Sequence, residues 1–374
     1  MSKGEKIVNK LSEDSLEKKA SRVTINRDKL ISGSVPIIAV LLALLLGSIL
    51  LIFINVNPLE AYKYLIFANF SSTYNFAEIF VKATPIILTG LAFTFAFRTG
   101  LFNIGGEGQM FVGAIAAVFV GLKTGHLSPF ITIPLCLMAA IIAGAIWGII
   151  PGILKAVFGS SEIIVTIMFN YVALYLVSYV VDKPLREASG FYPQTDLIGE
   201  NAFLPYIIPK TRLHIGFLIA GLLVLAVYLI LWKTPFGFRL RAVGFNPDGA
   251  EYSGINIKKN IIISLAISGA LAGVAGFTEI GGIHHRLLDN FSRDVGFDGI
   301  AAALLGGANP FGVFIASLLL GMLKTGANAM QRGVGVPANI VNIIQALIII
   351  LVLAGNMLRP KILMMLKRKE RGLE

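Results

Sequence analysis

The sequence has little cysteine and little charge. Its 374 residues include a single cysteine, Cys136, which excludes an internal disulfide and a zinc site built from several thiolates. Charged residues make up 14% of the chain, whereas a soluble domain has roughly 25%. This shortage of charge indicates a protein that is embedded in a membrane.

Enzyme signatures are also missing from the sequence. It contains no G-x-x-x-x-G-K-[ST] phosphate loop, no H-E-x-x-H zinc motif and no G-x-S-x-G nucleophile motif. His284 and His285 are adjacent, so on a helix they would point about 100° apart and would not chelate one metal together. We interpret both as loop or interface residues, and we expect no catalytic residue, no metal and no cofactor.

Apolar runs are plentiful: hydrophobic residues supply 56% of the chain, and the mean hydropathy is +0.79. Because about 20 apolar residues cross a bilayer, we predict an all-α, polytopic membrane helix bundle of about ten transmembrane helices. The count falls to nine if segment 297–308, which is too short to cross alone, is a half-helix or re-entrant element. The predicted spans are 35–56, 76–97, 105–122, 130–150, 162–181, 213–232, 261–281, 297–308, 311–329 and 338–356.

The net charge of +11 lies mainly in the tails and in short loops. No basic face with stacking aromatics is present, so we do not expect nucleic-acid binding. The positive-inside rule instead predicts a cytoplasmic N-terminal tail (1–33), a transmembrane domain (34–358) with an inner loop at 233–260, and a cytoplasmic basic tail (359–374). Arg286 and Arg293 fall in an outer loop and are exceptions to the rule.

Two internal patterns concern packing. Residues 105–125 and 306–326 share an opening Gly-Gly and a closing Leu-Lys-Thr-Gly. The match is due either to chance or to the duplication of a membrane unit, and the two copies could be parallel or inverted. Small residues also recur at every fourth position, which predicts close helix contacts. The rows are Ala140, Gly144, Gly148 and Gly152; Ser264, Ser268, Ala272 and Gly276; and Gly113, Ala117 and Gly121.

Segment 98–109 places polar residues between two apolar runs. Glu107 lies at the mouth of a span, where a carboxylate is costly and is therefore a functional candidate. Asn103 and Gln109 can hydrogen-bond a polar ligand. The alternative is structural: Asn103 caps the following helix, and Glu107 pairs with Arg98.

The inner loop contains a helix-start signal, Asn246 followed by Pro247, and a helix stop at Gly254. These signals predict a helix of about two turns, flanked by Arg239 and Arg241. A helix this short is not stable alone in water, so it must pack on its own bundle or on a partner. The alternative is an ordinary surface turn.

These two segments resemble the permease subunits of ABC importers for simple sugars, branched-chain amino acids and nucleosides, and most of all the guanosine-type permeases. Residues 241–255 (R-A-V-G-x-N-P-x-x-A-x-Y-x-G-I) are similar to the family's coupling loop, which docks on the ATPase. Segments 101–109, 167–171 and 296–306 resemble further family segments. Gly249 stands where the family tends to have Ala, which weakens the short helix by about 1 kcal/mol.

The resemblance implies a conduit in the bacterial plasma membrane that does not itself hydrolyse ATP. Its implied partners are a second permease subunit in a heterodimer, a cytoplasmic ABC ATPase and an extracytoplasmic substrate-binding lipoprotein. The implied ATPase-coupling residues are Arg239, Arg241, Asn246, Pro247, Ala250, Tyr252 and Gly254. Nucleosides carry planar bases and hydroxyls, so we select aromatic and hydrogen-bonding pathway residues: Asn103, Glu107, Gln109, Asn170, Phe297, Asp298 and Gln345. Packing is the alternative role for each of them.

Other functions remain open from the sequence. A permease for simple sugars or branched-chain amino acids would share the resemblance. An ion-coupled secondary transporter needs a titratable residue deep in the membrane, and the predicted spans hold almost none. A membrane enzyme would need a nucleophile or metal constellation that the chain lacks.

Overall fold

The computed structural model describes residues 38, 41–188, 190–291 and 294–370. The predicted N-terminal tail and Arg293 lie outside these residues. Within them the regular structure is helical, with three isolated bridges and no named strand. The helices are α1 (Leu41–Phe53), α2 (Pro58–Phe67), α3 (Thr73–Phe97), α4 (Gly106–Thr124), α5 (Pro129–Phe158), α6 (Glu162–Asp182), α7 (Gly216–Lys233), α8 (Pro235–Phe245), α9 (Pro247–Tyr252), α10 (Ile257–Glu279, continued by a π-helix Ile280–His284), α11 (Val295–Leu305), α12 (Pro310–Val334) and α13 (Ala338–Glu370).

Six of these helices are long and apolar enough to cross a membrane: α3, α5, α6, α7, α10 and α12. Each of the other four predicted spans also falls on a helix, which confirms the all-α membrane fold. The count of ten crossing helices stays a prediction. The element expected to be short is α11, whose 11 residues rise only about 16 Å, half the thickness of a bilayer's hydrocarbon. α13 extends through most of the predicted basic tail, to Glu370.

The chain divides into two units. One consists of Met1–Pro58 and Val336–Glu374 and carries α1 and α13. The other, Leu59–Gly335, carries α3 to α12. The cavities and the network analysed below all belong to this second unit.

Contacts between glycines form the centre of the second unit. α10 packs against α5, α4 and α3. A Cβ built on Gly144 of α5 would collide with the carbonyl oxygen of Gly269 on α10, and one on Gly269 would collide with that of Gly144. The row predicted on α5 therefore does bring two backbones together. In lipid, such close contact takes the place of the hydrophobic effect in holding helices together.

The row predicted on α10 meets a different helix. Ser264 Oγ donates to Thr99 Oγ1 at 2.9 Å, and Ser268 Oγ donates to the carbonyl oxygen of Ala92 on α3 at 2.6 Å. α10 thus presents small residues to three helices, with Gly269 and Gly273 toward α5, the two serines toward α3 and Gly276 toward α4. The spacing predicted close packing, but it did not indicate which helix each face would meet.

The segment between α6 and α7 folds over one end of α10. The Thr195 N–H donates to the Leu287 carbonyl at 3.0 Å, and the Leu204 N–H donates to the Gly281 carbonyl at 2.8 Å. Burial lowers the pKa of His214 to about 4, so its imidazole is neutral. Its Nδ1 can therefore accept a hydrogen bond from the backbone N–H two residues later, at 3.1 Å.

His284 is the last residue of the π-helix, and His285 follows it with positive φ. His284 Nε2 is 3.5 Å from Glu279 Oε2, whereas the His285 ring stacks on Phe203 with the centroids 3.9 Å apart. The two imidazoles thus have separate partners. Within the described ranges, no three His, Cys, Asp or Glu side chains are grouped so that they could hold a metal ion.

We predict that Gly269→Val lowers the thermal stability of the purified protein in detergent. The new side chain meets the α5 backbone, and overfilling a packed contact typically costs about 1–3 kcal/mol. Gly221→Val is the matched control, because a Cβ at this glycine of α7 meets nothing within 4 Å. Equal unfolding midpoints for the two variants would contradict the glycine contact.

Candidate translocation pathway

A cavity of about 290 Å³ lies between α4, α6 and the beginning of α11. Three of the predicted pathway residues line it: Glu107, Asn170 and Phe297. The remaining lining residues are Phe111, Ile167, Tyr171, Leu174 and Asp294. Apolar and aromatic walls with a few polar groups are the usual composition of a small-molecule site.

Asn170 uses both ends of its amide on the backbone of the polar segment. Its Oδ1 accepts from the Gly108 N–H at 2.9 Å, and its Nδ2 donates to the Ile104 carbonyl at 3.0 Å. Thr166, one turn earlier on α6, accepts from the Ile104 N–H at 3.3 Å. α6 therefore anchors an irregular stretch of backbone, and the Asn170 amide shapes one wall of the cavity.

Asn103 and Gln109 are buried away from the cavity in a network of their own. Asn103 Nδ2 donates to Gln109 Oε1 at 3.1 Å and to Ser268 Oγ at 2.8 Å. Asn103 Oδ1 accepts from the Gly105 N–H at 2.9 Å, just before α4 begins. The network ties α4 to α10, and substrate contact by Asn103 and Gln109 remains a prediction.

Glu107 does not pair with Arg98, so that alternative is wrong. Arg98 donates instead to the carbonyl oxygens of Ala308 and Gly307, at 2.9 and 3.0 Å. Glu107 Oε1 accepts from the Asp294 N–H at 3.1 Å. Its other carboxylate oxygen, Oε2, is buried and makes no well-formed hydrogen bond with the described residues, although the Gly296 N–H lies close to the carboxylate.

The other acidic candidate is neutralised within the bundle. Asp298 of α11 forms an ion pair with Lys324 of α12, with Nζ and Oδ2 2.5 Å apart. Lys324 lies near the middle of α12, so this span does contain a titratable residue, which the sequence analysis had not singled out. Gln345 lies on α13, in the other unit.

The short helix predicted in the inner loop is α9. Asn246 caps it by accepting from the Gly249 N–H at 3.0 Å, Pro247 is its first residue, and Gly254 follows with φ +77°. Ala250 is buried against the bundle, whereas Tyr252 is 95% exposed. The local prediction is confirmed, and the exposed tyrosine leaves a surface on which a partner can dock.

The helix before α9 packs directly on the polar segment. The Gly244 backbone of α8 lies so close to Gly100 that a Cβ on Gly100 would be 3.1 Å from the Gly244 Cα. Arg98 and Arg241 both approach the ring of Trp232, at 5.1 and 5.9 Å from its centroid. A second cavity of about 300 Å³ lies here. Segment 98–109 therefore runs from the backbone of α8 to the 290 Å³ cavity.

Several of these residues were not predicted. No role in the site was predicted for Trp232, Thr166 or Ser268, which come from distant positions in the chain; Ser268 had been predicted only to pack against another helix. Their contacts with segment 98–109 arise only when the helices pack. A hydroxyl or an aromatic ring in a long apolar run gives no signal of its own.

The second unit is thus a bundle of apolar helices with a lined cavity and an exposed short helix, the features of a polytopic membrane protein. Residues 75–353 match the family described as "Branched-chain amino acid transport system / permease component", and the chain belongs to this family. It is an integral membrane protein, as the apolar helices also indicate. No solved structure shows a significant match.

Several of the similar proteins are ABC transporter permeases. The guanosine ABC transporter permease protein NupP of Bacillus subtilis is 43% identical over 90% of this chain and 97% of its own length. The nucleoside ABC transporter permease protein NupB of Lactococcus lactis is 36% identical, over 84% and 89%. The glucose ABC transporter permease protein TsgB13 of Haloferax volcanii is 34% identical, over 86% and 87%. The first two bacteria each have a second matching permease protein, NupQ and NupC, so these relatives come in pairs.

We predict that Asn170→Ala destabilises the protein by about 1–3 kcal/mol, because the Gly108 N–H and the Ile104 carbonyl lose their partner. The control is Tyr171→Ala at the neighbouring position, whose side chain is 56% exposed. Thermal unfolding of both variants in the same detergent provides the measurement. Equal losses of stability would show that the Asn170 amide does not anchor the segment.

Proposed function

We propose that this chain is the membrane-spanning permease subunit of an ATP-driven ABC importer that carries nucleosides into a bacterial cell. The observation that supports this most strongly is the 43% identity to a guanosine permease across 97% of that protein's length. We place both termini in the cytoplasm, because the basic residues concentrate in the tails and in the loop that contains α9.

The proposed complex contains three other kinds of subunit. A second, non-identical permease supplies the other half of the pathway, as the paired relatives suggest. A lipoprotein delivers solute from outside, and a cytoplasmic ATPase binds the inner loop. ATP shifts the bundle between outward-open and inward-open states because the ATPase has different affinities for the two.

The contacts of segment 98–109 support a direct mechanical connection. The ATPase would bind at Tyr252 and the neighbouring exposed residues of α9. A displacement of α8 and α9 would be passed to Gly100 through its contact with Gly244, and along the segment to Glu107 at the cavity. Arg239 is exposed and available to the partner, whereas Arg241 lies beside Trp232 and holds the loop to the bundle.

A sugar permease is the second candidate, and the 34% identity to a glucose permease favours it. In a strain whose own permease gene is deleted, this chain should restore uptake of labelled guanosine but not of ribose or leucine. Uptake of ribose without guanosine would favour the sugar function and contradict ours.

We predict that Tyr252→Ala, alone or together with Arg241→Ala, abolishes uptake while the lipoprotein still binds its solute. Tyr252 is almost fully exposed, so its removal should not disturb the fold. Lys259→Ala, at an exposed residue of α10 outside the α9 surface, is the control and should transport normally. The coupling role would be wrong if the purified double-variant complex still hydrolysed ATP in response to loaded lipoprotein.

A further inference from the structure

Glu107 is only 7% exposed, yet its carboxylate oxygen Oε2 makes no well-formed hydrogen bond with the described chain, although the Gly296 N–H lies close to the carboxylate. Oε1 is held by the Asp294 N–H, which leaves Oε2 as the unsatisfied acceptor. A buried carboxylate oxygen without a donor is energetically costly. Because Glu107 lines the 290 Å³ cavity, a ligand bound there lies beside this carboxylate, and a small rotation of the side chain would bring Oε2 to it.

The polar groups of the cavity are biased toward acceptors. The Asn170 amide is already used by the backbone. The carboxylates of Glu107 and, at the exposed rim, Asp294 remain available to a ligand. The aromatic rings of Phe111, Tyr171 and Phe297 supply the apolar part of the lining. The cavity therefore fits a molecule that has hydrogen-bond donors, such as hydroxyls, at one end and a flat apolar surface at the other.

We propose that Glu107 determines specificity in the permease itself by accepting hydrogen bonds from the ribose hydroxyls of the nucleoside while the base lies against the aromatic rings. This inference rests on the proposed nucleoside function. Carboxylates are well suited to ribose hydroxyls because they only accept hydrogen bonds when ionised. The same negative charge disfavours phosphorylated nucleotides, which a site lined by two carboxylates repels.

The decisive variant is Glu107→Gln. Glutamine keeps the size of the side chain and can still accept from the Asp294 N–H, but it presents an NH₂ donor where Oε2 had been an acceptor. The experiment measures the ratio of guanosine uptake to 2′-deoxyguanosine uptake in cells that carry the wild-type or the variant chain. The lipoprotein is identical in both strains, and a reduced amount of permease lowers both uptakes equally. A changed ratio therefore reports the permease's own selectivity.

Loss of a hydrogen bond to a charged group corresponds to about tenfold or more in discrimination. We expect the wild-type ratio to favour guanosine and the Glu107→Gln ratio to fall toward one by about that factor. Glu60→Gln, at an exposed position on α2, should leave the ratio unchanged. Asp294→Asn should lower the ratio less, because this side chain is at the rim.

Two results would overturn the assignment. The first is an unchanged ratio in Glu107→Gln, which includes the case in which the carboxylates hold a cation instead of the sugar. The second is a variant that is present in the membrane in normal amount but transports neither compound, because Glu107 would then act in structure and not in selection. Failure of the wild-type chain to transport guanosine at all would instead refute the proposed function.

Discussion

The structure depends on how segment 98–109 satisfies its backbone between two membrane helices. Residues 101–104 are not helical, and in a bilayer an unpaired N–H or carbonyl costs several kcal/mol. Asn170 and Thr166 of α6 bond to the backbone of Ile104 and Gly108, and Asn103 bonds to that of Gly105. These side chains make an irregular connection possible where a continuous helix would otherwise be required.

The position of this segment gives it a role beyond its own stability. One end touches the backbone of α8, and the other contains Glu107 at the cavity. The surrounding glycine contacts of α5 and α10 are too close to compress, so the bundle between these two points is stiff. A displacement of α8 would therefore reach the cavity mainly through segment 98–109. In the proposed importer, the ATPase would act on the cavity through this segment.

Local features of the fold were predictable from sequence because they follow from short-range chemistry. Asn246, Pro247 and Gly254 specify the beginning and end of α9 regardless of what surrounds it. The long apolar runs give the helices for the same reason. Glu107 could be selected as a candidate because a carboxylate beside an apolar run is conspicuous.

Contacts between residues that are distant in the chain could not be predicted in this way. Nothing near Asn170 in the sequence indicates that its amide will bond to Gly108. Nor does the sequence indicate that Arg98 will bond to carbonyl groups more than two hundred positions away and not to Glu107. The predicted small-residue rows were present, but the face of glycines on α10 was missed because two interleaved rows look alike in a one-dimensional pattern. Which residues reach the cavity depends on these pairings.

The account is tested most directly by locating α9 in the assembled complex. Glu251→Cys in a chain whose only native cysteine is removed by Cys136→Ser places a single thiol at an exposed position of α9, next to Tyr252 but not among the proposed coupling residues. We expect this thiol to cross-link to the ATPase subunit and to resist membrane-impermeant reagents applied to intact cells. Labelling from outside, or the absence of a cross-link in a transport-competent complex, would contradict the account.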